Sequence, residues 1–282
     1  FPHYDFVFSE KPTDAECHIL GGGDIISDDF VAKFRHLNNK HIISAAISKP
    51  VKNLNDFKTI GVRDMISLAN AAASGVKADY VPDFAFALEG NAYNGRQIIK
   101  ERFAAERAEQ YSKVVAVVIN SHLLPEHNGI GLPRDAIAFE HAAFQIANAI
   151  DNTCASFIFI PFGTRLPWDD RVTNCWVASK CKFYKKNVIV YDDLSVQDTI
   201  DVIAACDGLI SSRLHSTIFS CVTATPFIDL LHNHKNRGFL DTVGLMKYAV
   251  PLSSLSFDIL HQRLNVLLTG QNMIKEELSR IT

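Results

Sequence analysis

The chain has 282 residues, 48% of them hydrophobic and 21% charged, which suits one large globular domain or two packed lobes and excludes a disordered tail. Its 28 lysines and arginines against 31 aspartates and glutamates give a formal net charge of −3, without the basic excess that drives phosphate-backbone binding, so nucleic acid is not an expected partner. No stretch approaches the roughly 18 apolar residues that a spanning helix requires, and a cytoplasmic protein without a transmembrane segment is expected.

Short β-rich runs alternate with helical periodicity along nearly the whole chain. This is the pattern of parallel strands joined by helical crossovers, so the expected fold class is α/β. Strands are predicted over residues 18–20, 42–47, 59–62, 114–119, 157–162, 188–191, 208–211 and 227–230. Phe139, Ala143, Ile146 and Ile150 fall at helical spacing after Pro133. So do Val196, Ile200, Ile203 and Ala204 after Ser195, which with Asp198 resembles a capping box.

Residues 89–113 interrupt this rhythm: Gly90, Asn94 and Gly95 open a segment that turns charged through Glu101, Arg102, Glu106, Arg107 and Glu109. The organisation predicted is an α/β lobe over 1–90, a connecting segment over 91–111 and a second α/β lobe over 112–282, closed by a helix around 258–279. The chain opens at Phe1 with neither a basic n-region nor an apolar h-segment, and is read as a trimmed or partial beginning. Six cysteines are scattered without a C-x-x-C pair, which favours a reducing compartment and argues against structural zinc.

In open parallel sheets ligands bind outside the carboxyl ends of the strands. The exits to inspect are therefore Gly21-Gly22-Gly23-Asp24, Gly163-Thr164-Arg165 and Ser211-Ser212-Arg213-Leu214-His215-Ser216, all expected to face one cleft between the lobes. Without side chains, the glycine triplet lets backbone approach a ligand or another element closely, and a tight packing turn explains it equally well. It is not a G-x-G-x-x-G fingerprint, and no P-loop pattern occurs.

The third exit is the most informative. A buried strand ends in two serines, and Arg213 and His215 then fall at a helix start, where unpaired N–H groups and the helix dipole favour an anion. Arginine adds a planar fork that fits phosphate or carboxylate, and histidine can carry a proton near neutral pH. The competing structural reading is that Arg213 pairs with a core carboxylate and His215 caps the helix.

Ser211 to Ser216, running into an apolar helix and then Thr225-Pro226-Phe227-Ile228, resembles the characteristic motif of the polysaccharide pyruvyl transferases. Other pieces agree in order: the Gly21 to Asp24 triplet, Gly61-Val62-Arg63-Asp64 with Ser67, Val81-Pro82-Asp83, Asp169-Asp170, and Lys235 with Phe239 and Gly244. Members of that family usually begin with a strand and a glycine-aspartate loop ahead of the triplet. Here only residues 4–9 offer such a strand, so the first lobe is expected to lack its usual first unit. His232 and His234, flanking Asn233, match no family feature.

The resemblance implies two Rossmann-like lobes with parallel sheets, of glycosyltransferase-B-like type. It further implies transfer of a pyruvyl group from phosphoenolpyruvate to two hydroxyls of a sugar, giving a cyclic ketal and phosphate. Carried over residue by residue, Arg213 and His215 are the catalytic candidates. Donor contacts are assigned to Arg213, Leu214, His215, Ser216, Arg165, Lys235 and Arg63, and acceptor contacts to Asp24, Gly22, Gly23 and Asp83. For Arg165, Lys235 and Arg63 a salt bridge is an equally good reading. Neither cofactor nor metal is expected beyond phosphoenolpyruvate as co-substrate. Acceptors of such pathways are often lipid- or nucleotide-linked, which leaves room for a peripheral membrane association, although no basic amphipathic anchor demands one. Two alternatives stay open: a nucleotide-sugar glycosyltransferase on the same scaffold, and a non-catalytic carbohydrate- or anion-binding relative.

Overall fold

Every residue of the run 114–118 is apolar, and the computed structural model shows the cause: the run is an inner strand of a parallel sheet covered on both faces. Residues 15–23, 26–102, 112–120, 134–165, 169–183 and 187–281 are described, and the chain divides into two units, Phe1–Phe84 and Ala85–Thr282.

The second unit holds six parallel strands, β5 (Val114–Val118), β6 (Ser156–Phe159), β7 (Asn187–Ile189), β8 (Gly208–Ser211), β9 (Phe227–Leu231) and β10 (Ala249–Pro251). They lie in the order β10-β9-β8-β5-β6-β7. Alternation along β5 sends Ala116 and Val118 into one core layer and Val115 and Val117 into the other. The first layer packs against α3 (Ala92–Arg102), α6 (Val196–Ala205), α7 (Leu214–Val222), α8 (His234–Thr242) and α10 (Gln271–Leu278). The second packs against α4 (Arg134–Asp151), α5 (Asp170–Ser179) and α9 (Phe257–Thr269). Each fully buried Val, Ile, Leu or Phe here is worth about 1.5–3 kcal/mol, so the two layers dominate the stability of this unit.

Local signals explain several elements. Ser195 Oγ accepts the N–H of Asp198 at 3.0 Å, starting α6 where its capping pattern predicts. Of the stretch read as a connection, residues 92–102 are α3, lying along α6. Gly95 permits the contact, since a Cβ there would sit 1.9 Å from the Asp201 carbonyl oxygen, and the Asp201 carboxylate accepts the N–H of Asn91 at 2.7 Å. Residues 103–111 lie outside the described residues. The single closing helix predicted over 258–279 is instead two helices, α9 and α10, divided at Gly270. Its N–H closes α9 onto Val266 O at 2.8 Å.

The first unit is a parallel sheet in the order β1 (His18–Gly21), β2 (Lys40–Ala45), β3 (Thr59–Val62) and β4 (Asp79–Tyr80), with α1 (Asp28–Lys33) and α2 (Met65–Ala73). Its core gathers Val31, Ile42, Leu54, Ile60 and Val62. Both units are thus α/β with parallel sheets, as expected. The strand foreseen at 4–9 lies outside the described residues. No helix is long and apolar enough to cross a membrane, among the described residues. The cysteines in them are unpaired with one another, and burial pushes the thiols of Cys206 and Cys221 up to about 12, leaving them as inert apolar groups.

Candidate functional site

From β5 the chain of the second unit steps to β6 and β7 on one side, then returns to place β8, β9 and β10 on the other. The strand order therefore reverses between β5 and β8, where open α/β sheets form a crevice at their carboxyl ends. The two exits at this point are bonded together. Asn120 N donates to Ser212 Oγ at 2.7 Å, and Ser212 N donates to Val118 O at 2.9 Å.

Arg213 is the N-cap of α7, but its side chain does not cap. The turn is held by buried hydroxyls: Ser211 Oγ accepts Arg213 N at 3.0 Å, and Ser216 Oγ donates to Arg213 O at 2.9 Å. The first intrahelical bond runs from Thr217 N to Arg213 O. The amides of Leu214, His215 and Ser216 precede it and carry the positive end of the helix.

The guanidinium of Arg213 meets an internal acid. Nε donates to Asp170 Oδ2 at 2.9 Å and Nη2 to Oδ1 at 2.5 Å. The Asp170 side chain is 0% exposed and that of Arg213 22%. Asp170 Oδ2 also accepts Phe162 N at 3.1 Å and Gly163 N at 2.9 Å. One carboxylate thus joins the start of α5, the loop after β6 and the end of β8. The expectation that Arg213 offers its fork to a dissolved anion needs correcting, because that fork is occupied by Asp170; among the described residues only Nη1 has no protein partner.

The sequence assigns Asp169, quoted only as part of the Asp169-Asp170 pair, and Arg171 no chemical role, yet both fix the same loop. Asp169 caps α5, and Arg171 Nη2 reaches its Oδ2 at 2.6 Å and Thr164 O at 2.9 Å. Arg171 Nη1 donates to Tyr191 O at 3.2 Å. Hydrogen bonds from Arg171 hold the Asp169 carboxyl below the ordinary carboxylate range, against the opposing effect of burial. The sequence signal was an Asp-Asp-Arg run at a helix start.

His215 is exposed on the first turn of α7, Leu214 is half-buried and Ser216 is buried. Arg165 is exposed on the loop after β6, and Lys235 is half-buried on the first turn of α8. The unusual His232-Asn233-His234 run has a local explanation. Asn233 Oδ1 caps α8 by accepting Asn236 N at 2.9 Å, and its amide lies 2.9 Å from His232 Nε2.

Beneath α7 and α8 lies Asp229 of β9, 0% exposed. Its Oδ2 accepts from Thr217 Oγ1 and from Asn236 Nδ2, both at 2.7 Å. Its Oδ1 is buried without a partner among the described residues. Burial outweighs those two hydrogen bonds and raises its pKa to about 6.

In the first unit the quoted residues are mostly engaged with one another. Arg63 Nη1 meets Asp83 Oδ2 at 2.6 Å, with side chains 5% and 10% exposed. Expected to serve donor and acceptor respectively, they instead pair with each other, since a buried charge needs an opposite one. Asp64 caps α2 through Ser67 N at 2.7 Å, and Ser67 Oγ accepts Ile47 N at 2.8 Å, so this motif ties the exit of β2 to α2. A Cβ at Gly21 would sit 2.3 Å from Ile43 O, while Gly22 and Gly23 have φ of +78° and +70°. The close approach and the left-handed turn both require glycine. Asp24 lies outside the described residues. No group of three side chains suited to a metal ion occurs among them.

The profile of the polysaccharide pyruvyl transferase family matches residues 3–234. Among curated proteins, the amylovoran biosynthesis protein AmsJ of Erwinia amylovora is 23% identical over 172 residues, which is 60% of this chain and 41% of that protein. The chain therefore spans about two fifths of the length of that relative. Among solved structures, UDP-GlcNAc 2-epimerase of Neisseria meningitidis, bound to UDP-GlcNAc, aligns over 93% of this chain and 70% of its own with a TM-score of 0.51 at 8% identity. The S. aureus MnaA-UDP structure aligns over 94% and 70% with a TM-score of 0.55 at 9% identity. At such identities the likeness concerns the fold alone, α/β with parallel sheets in each unit as expected from the sequence.

Proposed function

Since the chain belongs to the polysaccharide pyruvyl transferase family, we propose that it acts in polysaccharide biosynthesis by moving a pyruvyl group from phosphoenolpyruvate onto a sugar. In this reaction one sugar hydroxyl adds to the central carbon of the donor while the methylene carbon gains a proton. A second hydroxyl of the same sugar then displaces phosphate, closing a cyclic ketal. Each hydroxyl loses one proton; the first is balanced by the new methyl group and the second leaves with phosphate.

The observation that carries this reading is the Arg213 motif at the strand-order reversal, with His215 exposed on the first turn of α7, at the positive end of that helix. The amides of Leu214 to Ser216 and the Nη1 edge of Arg213 are assigned to the donor's anionic groups. Arg165 and Lys235 supply further positive charge, and His215 is assigned the proton transfer. Asp170 keeps Arg213 and the loop after β6 in register, so its contribution is positional. Gly22, Gly23 and Asp24 remain assigned to the acceptor, whereas the mutual pair of Arg63 and Asp83 is removed from both roles.

The test is incubation with phosphoenolpyruvate and a panel of free, lipid-linked and nucleotide-linked sugars, following both phosphate and product mass. Phosphate release with a pyruvylated product is expected. Donor binding without product on any acceptor would favour a non-catalytic relative, and turnover of a nucleotide sugar without any effect of phosphoenolpyruvate would favour a glycosyltransferase.

A further inference from the structure

We infer that Asp229 is a positioning residue that fixes the starts of α7 and α8 to a single buried atom and thereby sets the distance between the two donor-binding turns. The inference rests on the reading that Arg213 and His215 on one turn, and Lys235 on the other, meet the same donor. Both bonds end on Oδ2: Thr217 from α7 and Asn236 from α8, each at 2.7 Å. Thr217 lies one helical turn beyond Arg213, whose carbonyl oxygen its hydroxyl also approaches at 3.2 Å. Asn236 donates its own N–H to the cap residue Asn233, so its side chain and backbone fix the first turn of α8 together.

All three residues are at most 1% exposed, so solvent cannot replace a lost bond. Among the described residues, a titratable group facing Asp229 is the Cys221 thiol of α7, which burial and the neighbouring carboxylate keep protonated. No cation neutralises Asp229 among the described residues. A helix pair could be held by apolar contact alone, and burying a carboxylate for that purpose is unfavourable. An acceptor shared by two donors does something packing does not: it makes the two turns depend on one coordinate.

Asp229→Ala removes the shared acceptor, and Asp229→Asn keeps one carbonyl oxygen able to accept both bonds. Each is compared with the parent chain by amide hydrogen exchange and by calorimetric titration with phosphoenolpyruvate. Asp229→Ala is expected to speed exchange in the first turns of both helices about tenfold or more, with β5 unchanged, and to weaken donor binding about tenfold. Asp229→Asn is expected to restore both to within about threefold. Faster exchange in only one helix, or an Asn variant no better than Ala, would overturn the assignment.

Should Asp229→Ala fail to fold, Thr217→Val and Asn236→Leu each remove one bond. Each is then expected to loosen its own turn and to weaken donor binding severalfold. Unchanged exchange in either, or unchanged donor affinity in both, would sink the shared coordinate. A parent chain that binds no phosphoenolpyruvate removes the donor reading by itself, while the exchange comparison still decides whether one carboxylate holds both turns.

Discussion

Asp170 grips Arg213 through two parallel hydrogen bonds, Nε to Oδ2 at 2.9 Å and Nη2 to Oδ1 at 2.5 Å, across 43 positions of sequence. Removing the acid leaves a largely buried guanidinium and the N–H groups of Phe162 and Gly163 without their acceptor. Asp170→Ala is expected to lower unfolding free energy by roughly 3–5 kcal/mol, read from urea denaturation. A loss below about 1 kcal/mol would mean that the pair is no stronger than a surface one.

Arg213→Lys separates charge from geometry. Lysine keeps one positive charge but cannot make the two parallel bonds, so the loop after β6 should lose its registration. A fall in phosphoenolpyruvate affinity of about tenfold or more is expected by calorimetry, from losing a charge-assisted bond worth roughly 1.5–3 kcal/mol. Affinity equal to that of the parent would remove Arg213 from the donor site.

His215 makes the complementary case, because it is exposed on the first turn of α7. His215→Ala should shift stability by no more than about 0.5 kcal/mol while abolishing phosphate release from phosphoenolpyruvate. Undiminished release, with the melting curve also unchanged, would take the imidazole out of the chemistry.

What the sequence could reveal followed from local physics. The continuous apolar run of β5 requires cover on both faces, and Ser195 with Asp198 predicts where α6 begins. The two- and three-residue strands β4 and β10 are too short to show a period. A helical pattern over 258–279 does not reveal that Gly270 divides it. In the site, the Arg-Leu-His motif was legible, together with the option that Arg213 pairs with an internal acid. That acid was not legible as its partner, because Asp170 comes from another crossover and no spacing rule links the two. The opposite failure concerns Arg63 and Asp83, where motif resemblance suggested ligand contacts and 20 intervening residues concealed a mutual pair.

That pair yields a prediction that separates folding from function. Asp83→Ala should destabilise the first unit by roughly 3–5 kcal/mol, whereas the double variant Arg63→Met with Asp83→Leu should recover most of the loss, because replacing both charges removes the burial penalty. Phosphoenolpyruvate affinity of the refolded double variant should match the parent. A double variant as stable as the parent that no longer binds the donor would return Arg63 to the donor site.

Asp229 gives a pH dependence whose sign follows from its environment. Burial raises its folded-state pKa from 3.8 to about 6, so between these values the folded chain holds a proton that the unfolded chain has released. The protonated carboxyl therefore favours folding fully below about pH 4, and the contribution is lost as pH rises through about 6. That difference corresponds to about 3 kcal/mol, the cost of keeping an ionised, uncompensated carboxylate in the core above that range. Asp229→Asn cannot ionise and escapes this cost. Urea denaturation of both chains from pH 4.5 to 8 should show the Asn variant gaining stability relative to the parent as pH rises, with most of the gain complete by about pH 7. Parallel profiles would mean that the carboxyl titrates in the folded state as it does in the unfolded chain, and a difference of opposite sign would mean that a positive charge stabilises its ionised form.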